Sequence, residues 1–148
     1  MSAVNLHATA LLLEDRGVLI TGASGSGKTM LGFALIDHHR RQGGFARWVA
    51  DDQVLLSACA GRLICAAPPA IAGLAEVRGV GPRPIDHEPR MVADLLVRLV
   101  PRAQAPRYQE QRHEVLAGCP IPSLDLPAAD SAASALAVTA WIKAASFP

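Results

Sequence analysis

The chain has 148 residues, of which 51% are apolar and 18% charged, enough for one domain with a real core and too apolar for a disordered chain. A net charge of +1 without a long basic run excludes an electrostatic nucleic-acid footprint. No uninterrupted apolar run reaches the roughly 18 residues that a membrane span needs.

The N-terminus lacks a basic region, and Glu14-Asp15-Arg16 soon ends the apolar run at 8–13. No signal peptide is predicted, so the protein is expected in the cytoplasm with residues 1–148 as a single domain. Glu14 to Gly17 reads as a hairpin turn, and residues 17–21 (Gly-Val-Leu-Ile-Thr) as a buried strand. A helix follows over Lys28–Arg41, with Leu31, Leu35 and Ile36 on one face and Gly43-Gly44 as its stop signal. His38 and His39, at its end, are expected to be solvated. Residues 47–50 form another strand that stops at the acidic pair Asp51-Asp52.

Residues 53–58 and Arg62–Ala66 flank Gly61 as a hairpin, and Pro68-Pro69 breaks the pattern. Residues 91–100 fit a helix or a strand by periodicity and are taken as a strand. The Ala/Pro-rich stretch 120–129 reads as a loop, and Ser131–Ala145 as a helix capped by Asp130 or Ser131. Cys59, Cys65 and Cys119 are odd in number and outside any metal-binding spacing, so they read as buried free thiols.

The strongest chemical signal is Gly22-Ala23-Ser24-Gly25-Ser26-Gly27-Lys28-Thr29, a complete G-x-x-x-x-G-K-[ST] motif between a strand and a helix. Its glycines allow successive backbone N–H groups to turn toward phosphate oxygens, and the helix adds its positive N-terminal end. In such a P-loop, Lys28 reaches the β- and γ-phosphates of a nucleoside triphosphate and the Thr29 hydroxyl joins Mg²⁺. The predicted fold is therefore α/β, a P-loop core with flanking helices and a sheet that is mixed because hairpins accompany the central strands.

A P-loop alone does not name a reaction. In Trp48-Val49-Ala50-Asp51-Asp52 an apolar strand ends in two carboxylates, whose side chains point to opposite sides. One can face the γ-phosphate while the other braces the strand end. Glu76 and Arg78 are two apart, and on a strand they would share a face, which also suits a plain surface ion pair.

The P-loop, Val49-Ala50-Asp51-Asp52 and Gly73-Leu74-Ala75-Glu76-Val77-Arg78-Gly79-Val80-Gly81 occur in this order, and together they resemble the catalytic domain of HPr kinase/phosphorylase. That family phosphorylates a serine of the phosphocarrier HPr of the sugar phosphotransferase system, and can reverse the step with inorganic phosphate. The resemblance covers residues 6–122 and implies an HPr-type protein as substrate, ATP and Mg²⁺ as cofactors, and a homo-oligomer, often a hexamer. It implies that Lys28 stabilises the transferring charge, that Thr29 and Glu76 hold Mg²⁺, and that one of Asp51 and Asp52 takes the serine proton, with Asp52 favoured. His7 falls where the family has an active-site histidine, and Arg78 would organise acceptor or phosphate.

The family also has an arginine-containing turn before its last helix, whereas residues 127–134 here contain no arginine. That departure implies a weaker reverse reaction. It also supports an alternative, a P-loop nucleotide-binding regulator with little or no kinase turnover.

Overall fold

The structure, a computed structural model, describes residues 3–145. Its first strands are β1 (Val4–Leu13), β2 (Arg16–Gly22), β3 (Ala46–Ala50), β4 (Gln53–Cys59) and β5 (Arg62–Ala66). Then come β6 (Leu74–Val77), β7 (Gly81–Pro84), β8 (Arg90–Val100), β9 (Arg112–Leu116) and β10 (Cys119–Pro127). The helices are α1 (Lys28–Arg41), between β2 and β3, and α2 (Ser131–Ala145) at the end.

Eight strands join in one mixed sheet, and β6 and β7 form a separate hairpin. The long strands β1 and β8 are each shared between two sets of neighbours. Residues 4–7 of β1 pair with β4, while residues 8–13 pair with β2 and residues 10–13 with β3. Likewise β8 pairs with β5 through residues 90–92 and runs parallel to β2 and β10 further along. Because β2 bonds to both β1 and β8, the path β2-β1-β4-β5-β8 closes on itself.

Alternation along the strands fills both faces. Leu11, Leu13, Val18 and Ile20 pack with Leu31, Leu35 and Ile36 of α1 and with Val138 and Ile142 of α2. The intervening Ala8, Ala10 and Leu19 face a second core with Val54, Leu56, Leu63 and Leu96. A period of two on the strands and of 3.6 on α1 is the reason these positions coincide with buried ones. The helix α1 stops where Gly43 takes φ 79° and returns its N–H to Arg40 O at 3.0 Å, a turn that glycine adopts without strain.

Several expectations change. Residues 119–127 of the supposed loop form β10, which pairs with β9 through Cys119–Ser123 and with β8 only from Ser123 onward. Pro120 and Pro122 therefore lie where the strand has a neighbour on one side only, the place in a sheet where a missing N–H is tolerated. Cys119, Ile121 and Ser123 alternate inward between them. The short strands β6, β7 and β9 were not expected. Cys59 is exposed, while Cys65 and Cys119 are buried. Burial pushes the Cys65 thiol up to about 12, so it stays protonated and inert. His39 is buried rather than solvated, and its Nδ1–H donates to the Leu35 carbonyl at 3.0 Å.

One glycine is required by space. A Cβ on Gly17 would lie 2.0 Å from Val92 O, and the Gly17 N–H already donates to Asp94 Oδ2 at 2.9 Å. Backbone, unlike a flexible side chain, cannot step aside. Gly17→Ala is expected to destabilise the fold by about 3 kcal/mol, the upper end of overpacking costs. A urea midpoint equal to that of the unchanged protein would show that β2 and β8 can separate at little cost.

Candidate active site

The loop 23–27 leaves the end of β2 and enters α1 directly. Gly25 (φ 82°) and Gly27 (φ 97°) are both left-handed, and nothing lies within 4 Å of a Cβ built on Gly25. Conformation, not crowding, requires glycine there. The Ser26 N–H closes the turn on Ala23 O at 3.0 Å. Gly27 caps α1 without a side-chain hydrogen bond, and no acidic residue stands in the first helical turn. The amide groups at this helix start therefore keep their positive potential uncompensated. Lys28 is 8% exposed, and its Nζ donates to Gly22 O at 3.1 Å and Ala23 O at 3.3 Å.

Asp51, at the end of β3, is 5% exposed and fully engaged. Its Oδ1 accepts from Thr9 Oγ1 and Thr29 Oγ1, both at 2.9 Å, and its Oδ2 accepts from the Glu76 N–H at 2.9 Å. One carboxylate thus ties together β1, the first turn of α1, and β6. Thr9 carried a readable but unused signal, a hydroxyl within the apolar run Ala8-Thr9-Ala10.

Asp52 points elsewhere. Its backbone is left-handed (φ 72°), which aspartate tolerates better than most residues, and its carbonyl accepts the Ala8 N–H at 3.0 Å. Its side chain is 64% exposed and Oδ1 is hydrogen-bonded to His7 Nε2, on the neighbouring strand β1. The adjacent carboxylates therefore differ in kind. Asp51 is buried and saturated with donors, whereas Asp52 faces solvent with a single ring nitrogen as partner.

A cavity of about 670 Å³ brings these groups together. It is lined by His7, Lys28, Thr29, Asp51, Asp52, Glu76 and Arg78, and by Ser24, Gly25 and Gly27 of the loop. Gly22, Ala23 and Ser26 do not line it. Arg78 lies just beyond the end of β6, so it does not share a strand face with Glu76, and the surface ion pair between them is not formed. An apolar wall from Pro68, Ile71, Leu74 and Pro82, together with the half-exposed Met30, completes the cavity. Apart from Leu74, which lies in the Gly73–Gly81 segment, sequence patterns did not mark this wall as part of a site.

The chemistry available is that of an anion cradle beside a carboxylate. Loop amides and a buried ammonium face one end, a hydroxyl and two carboxylates offer hard oxygen donors, and a solvent-facing carboxylate can take a proton. Among the described residues no helix is long and apolar enough to cross a membrane.

Comparison with known proteins bears on the family and the fold. The chain is 38% identical over 76 residues to the HPr kinase/phosphorylase of Clostridium tetani, a stretch covering 51% of this chain and 23% of that protein. It is 33% identical over 75 residues to the HPr kinase/phosphorylase of Mycoplasma mycoides subsp. mycoides SC, covering 51% and 22%. The matched stretch is thus less than a quarter of the length of these curated relatives. The fold is similar to the structure of the Hpr(Ser) kinase/phosphatase from Coxiella burnetii, with a TM-score of 0.81 and 24% identity over 97% of this chain and 91% of that one. The sequence profile of the HPr Serine kinase C-terminal domain matches residues 1–145, and the chain belongs to that family.

Proposed function

We propose that the protein is an ATP- and Mg²⁺-dependent kinase that phosphorylates a serine of an HPr-type phosphocarrier. The observation that carries this reading is the division of labour within the acidic pair. Asp51 is locked to the Thr29 hydroxyl, while Asp52 opens into the cavity that Lys28 and the loop amides also face. A triphosphate lying along loop 23–27 would meet N–H donors, the α1 N-terminus and the Lys28 ammonium.

The donor set fits magnesium. Thr29, Asp51 and Glu76 offer oxygen alone, and among the described residues no group of three or more His, Cys, Asp or Glu converges to cage an ion. A cation that keeps several waters and binds through one or two carboxylates plus phosphate oxygens suits such a half-built site. When bound, it would neutralise charge on the phosphates. Thr29 and Glu76 would hold it, with Asp51 orienting the Thr29 hydroxyl.

The remaining roles belong to this chain's own side chains. In this reading Asp52, exposed and one hydrogen bond from His7, accepts the acceptor serine's proton as the serine oxygen attacks the γ-phosphorus and ADP leaves. His7 orients that carboxylate. Arg78, without an ion-pair partner among the described residues, is left to meet phosphate or acceptor. The alternative, a nucleotide-binding regulator with little turnover, draws on the lack of arginine in residues 127–134.

Labelled ATP, Mg²⁺ and a purified HPr-type carrier test the reading. Transfer to the carrier is expected, and it should vanish when the carrier's acceptor serine is replaced by alanine. Nucleotide binding without any transfer would favour the regulator instead.

A further inference from the structure

We propose that Thr9 is a positioning residue for the nucleotide site: it fixes Asp51, and through Asp51 the direction in which the Thr29 hydroxyl offers its oxygen to Mg²⁺. The nucleotide and the cation are those of the kinase reading, on which this role rests. Thr9 itself touches neither.

Three consecutive residues of β1 grip the acidic pair. His7 is bonded to the Asp52 carboxylate, the Ala8 N–H donates to the Asp52 carbonyl at 3.0 Å, and the Thr9 hydroxyl donates to Asp51 Oδ1 at 2.9 Å. Thr9 is fully buried and does not line the 670 Å³ cavity. It stands in the apolar run Ala8-Thr9-Ala10, where valine would suit a strand as well and would bury no polar group. A hydroxyl at such a position needs a partner, and that partner is Asp51. The branched Cβ restricts the Thr9 rotamer, and pairing of Thr9 with Ile20 of β2 holds its backbone. The hydroxyl is therefore delivered from a fixed place.

The consequence lies on the shared oxygen. Asp51 Oδ1 accepts from both Thr9 and Thr29, and Oδ2 accepts from the Glu76 N–H. Donors from β1, α1 and β6 leave the carboxylate no free direction in which to turn. Because the Thr29 hydrogen is committed to Oδ1, the lone pairs of its oxygen are directed away from Asp51. Thr29 lines the cavity beside Lys28, where a cation on the phosphates would meet those lone pairs. Without the Thr9 donor, Oδ1 keeps one partner of two, and the carboxylate is free to swing and take the Thr29 hydroxyl with it. Partners one step behind a metal ligand set both its orientation and the affinity of the site.

The test compares binding of AMPPNP, an ATP analogue that resists γ-phosphate transfer, in Mg²⁺ and in EDTA, by calorimetry. The ratio of the two dissociation constants measures what the cation adds, and the unchanged protein should bind more tightly with Mg²⁺. Thr9→Val keeps the shape and removes the donor. It should lower that ratio about tenfold, the lower end for loss of such a partner, and leave the affinity in EDTA unchanged. Thr9→Ser, which returns the hydroxyl, should return the ratio. A hydroxyl serving stability alone would lower the urea midpoint of Thr9→Val without moving the ratio, and that result would overturn the proposal. So would a serine variant as impaired as the valine one. A further measurement needs no variant: in the unchanged protein, adding Mg²⁺ to the AMPPNP complex should shift the Thr9 methyl resonance, and a silent methyl would overturn the proposal too. Failure of the kinase reading looks different. If the unchanged protein does not bind AMPPNP, that reading falls and this role with it, whereas Mg²⁺-dependent binding that Thr9→Val leaves intact removes the role of Thr9 alone.

Discussion

Lys28→Ala is expected to slow triphosphate-dependent phosphorylation by about 10²–10³-fold, the cost of removing one preorganised donor from a transferring group. The structure explains why one side chain matters this much. Lys28 is buried, yet its ammonium is held by the carbonyls of Gly22 and Ala23 and by no carboxylate. Its charge is thus kept in a poorly solvated place and left uncancelled, ready for an anion arriving at the loop. Lys28→Arg should not restore the rate, because a planar guanidinium neither fits the same tight site nor acts as a compact point charge. Initial rates with the carrier, alongside nucleotide titration by calorimetry, measure both effects. A variant that phosphorylates its acceptor at the unchanged rate would show that chemistry does not happen at this loop.

Substitution of the two adjacent aspartates is expected to give opposite patterns. Asp52→Asn should lower turnover by about 10²–10⁴-fold while nucleotide affinity stays within about twofold, since a base acts on the acceptor hydroxyl and not on ATP. Its stability should barely change, because the side chain is mostly exposed. Asp51→Asn should instead cost about 1–3 kcal/mol of stability, the penalty of an unsatisfied buried donor. Three donors converge on Asp51, and while an asparagine oxygen could still accept from Thr9 and Thr29, its NH₂ would face the Glu76 N–H and could not accept from it. Turnover should also fall in Asp51→Asn, through the loosened Thr29 and β6. Urea unfolding and steady-state rates on both variants separate the patterns. Normal turnover in both would exclude a general-base role for the pair.

Much of the fold was legible because its signals are local. The bounds of α1 follow from Gly27 before it and Gly43-Gly44 after it, and its buried face from the spacing of Leu31, Leu35 and Ile36. The hairpin of β4 and β5 follows from apolar runs on either side of Gly61, which takes φ 76°. The glycine-rich loop was legible as well, since left-handed backbone at Gly25 and Gly27 is a property of the residues themselves. By contrast, β10 was hidden by Pro120 and Pro122. Proline argues against a strand until it is known that the strand begins with a neighbour on one side only, and pairing partners are not a local property.

The same boundary runs through the candidate site. Residue types and spacing were enough to nominate the loop and the acidic pair, whereas Glu76, Arg78 and His7 were nominated only through the resemblance to the HPr kinase/phosphorylase catalytic domain. Type and spacing left Asp51 and Asp52 nearly equivalent, because neighbours on a chain share their composition and differ only in where they point. Tertiary structure gives them different surroundings. Thr9 arrives from β1 and the Glu76 amide from β6, and these distant donors bury and saturate Asp51 while Asp52 is left to His7 and solvent. Chain-local conformation and periodicity are written in the sequence; burial and hydrogen-bond saturation depend on which remote segments meet, and those contacts exist only once the sheet has closed.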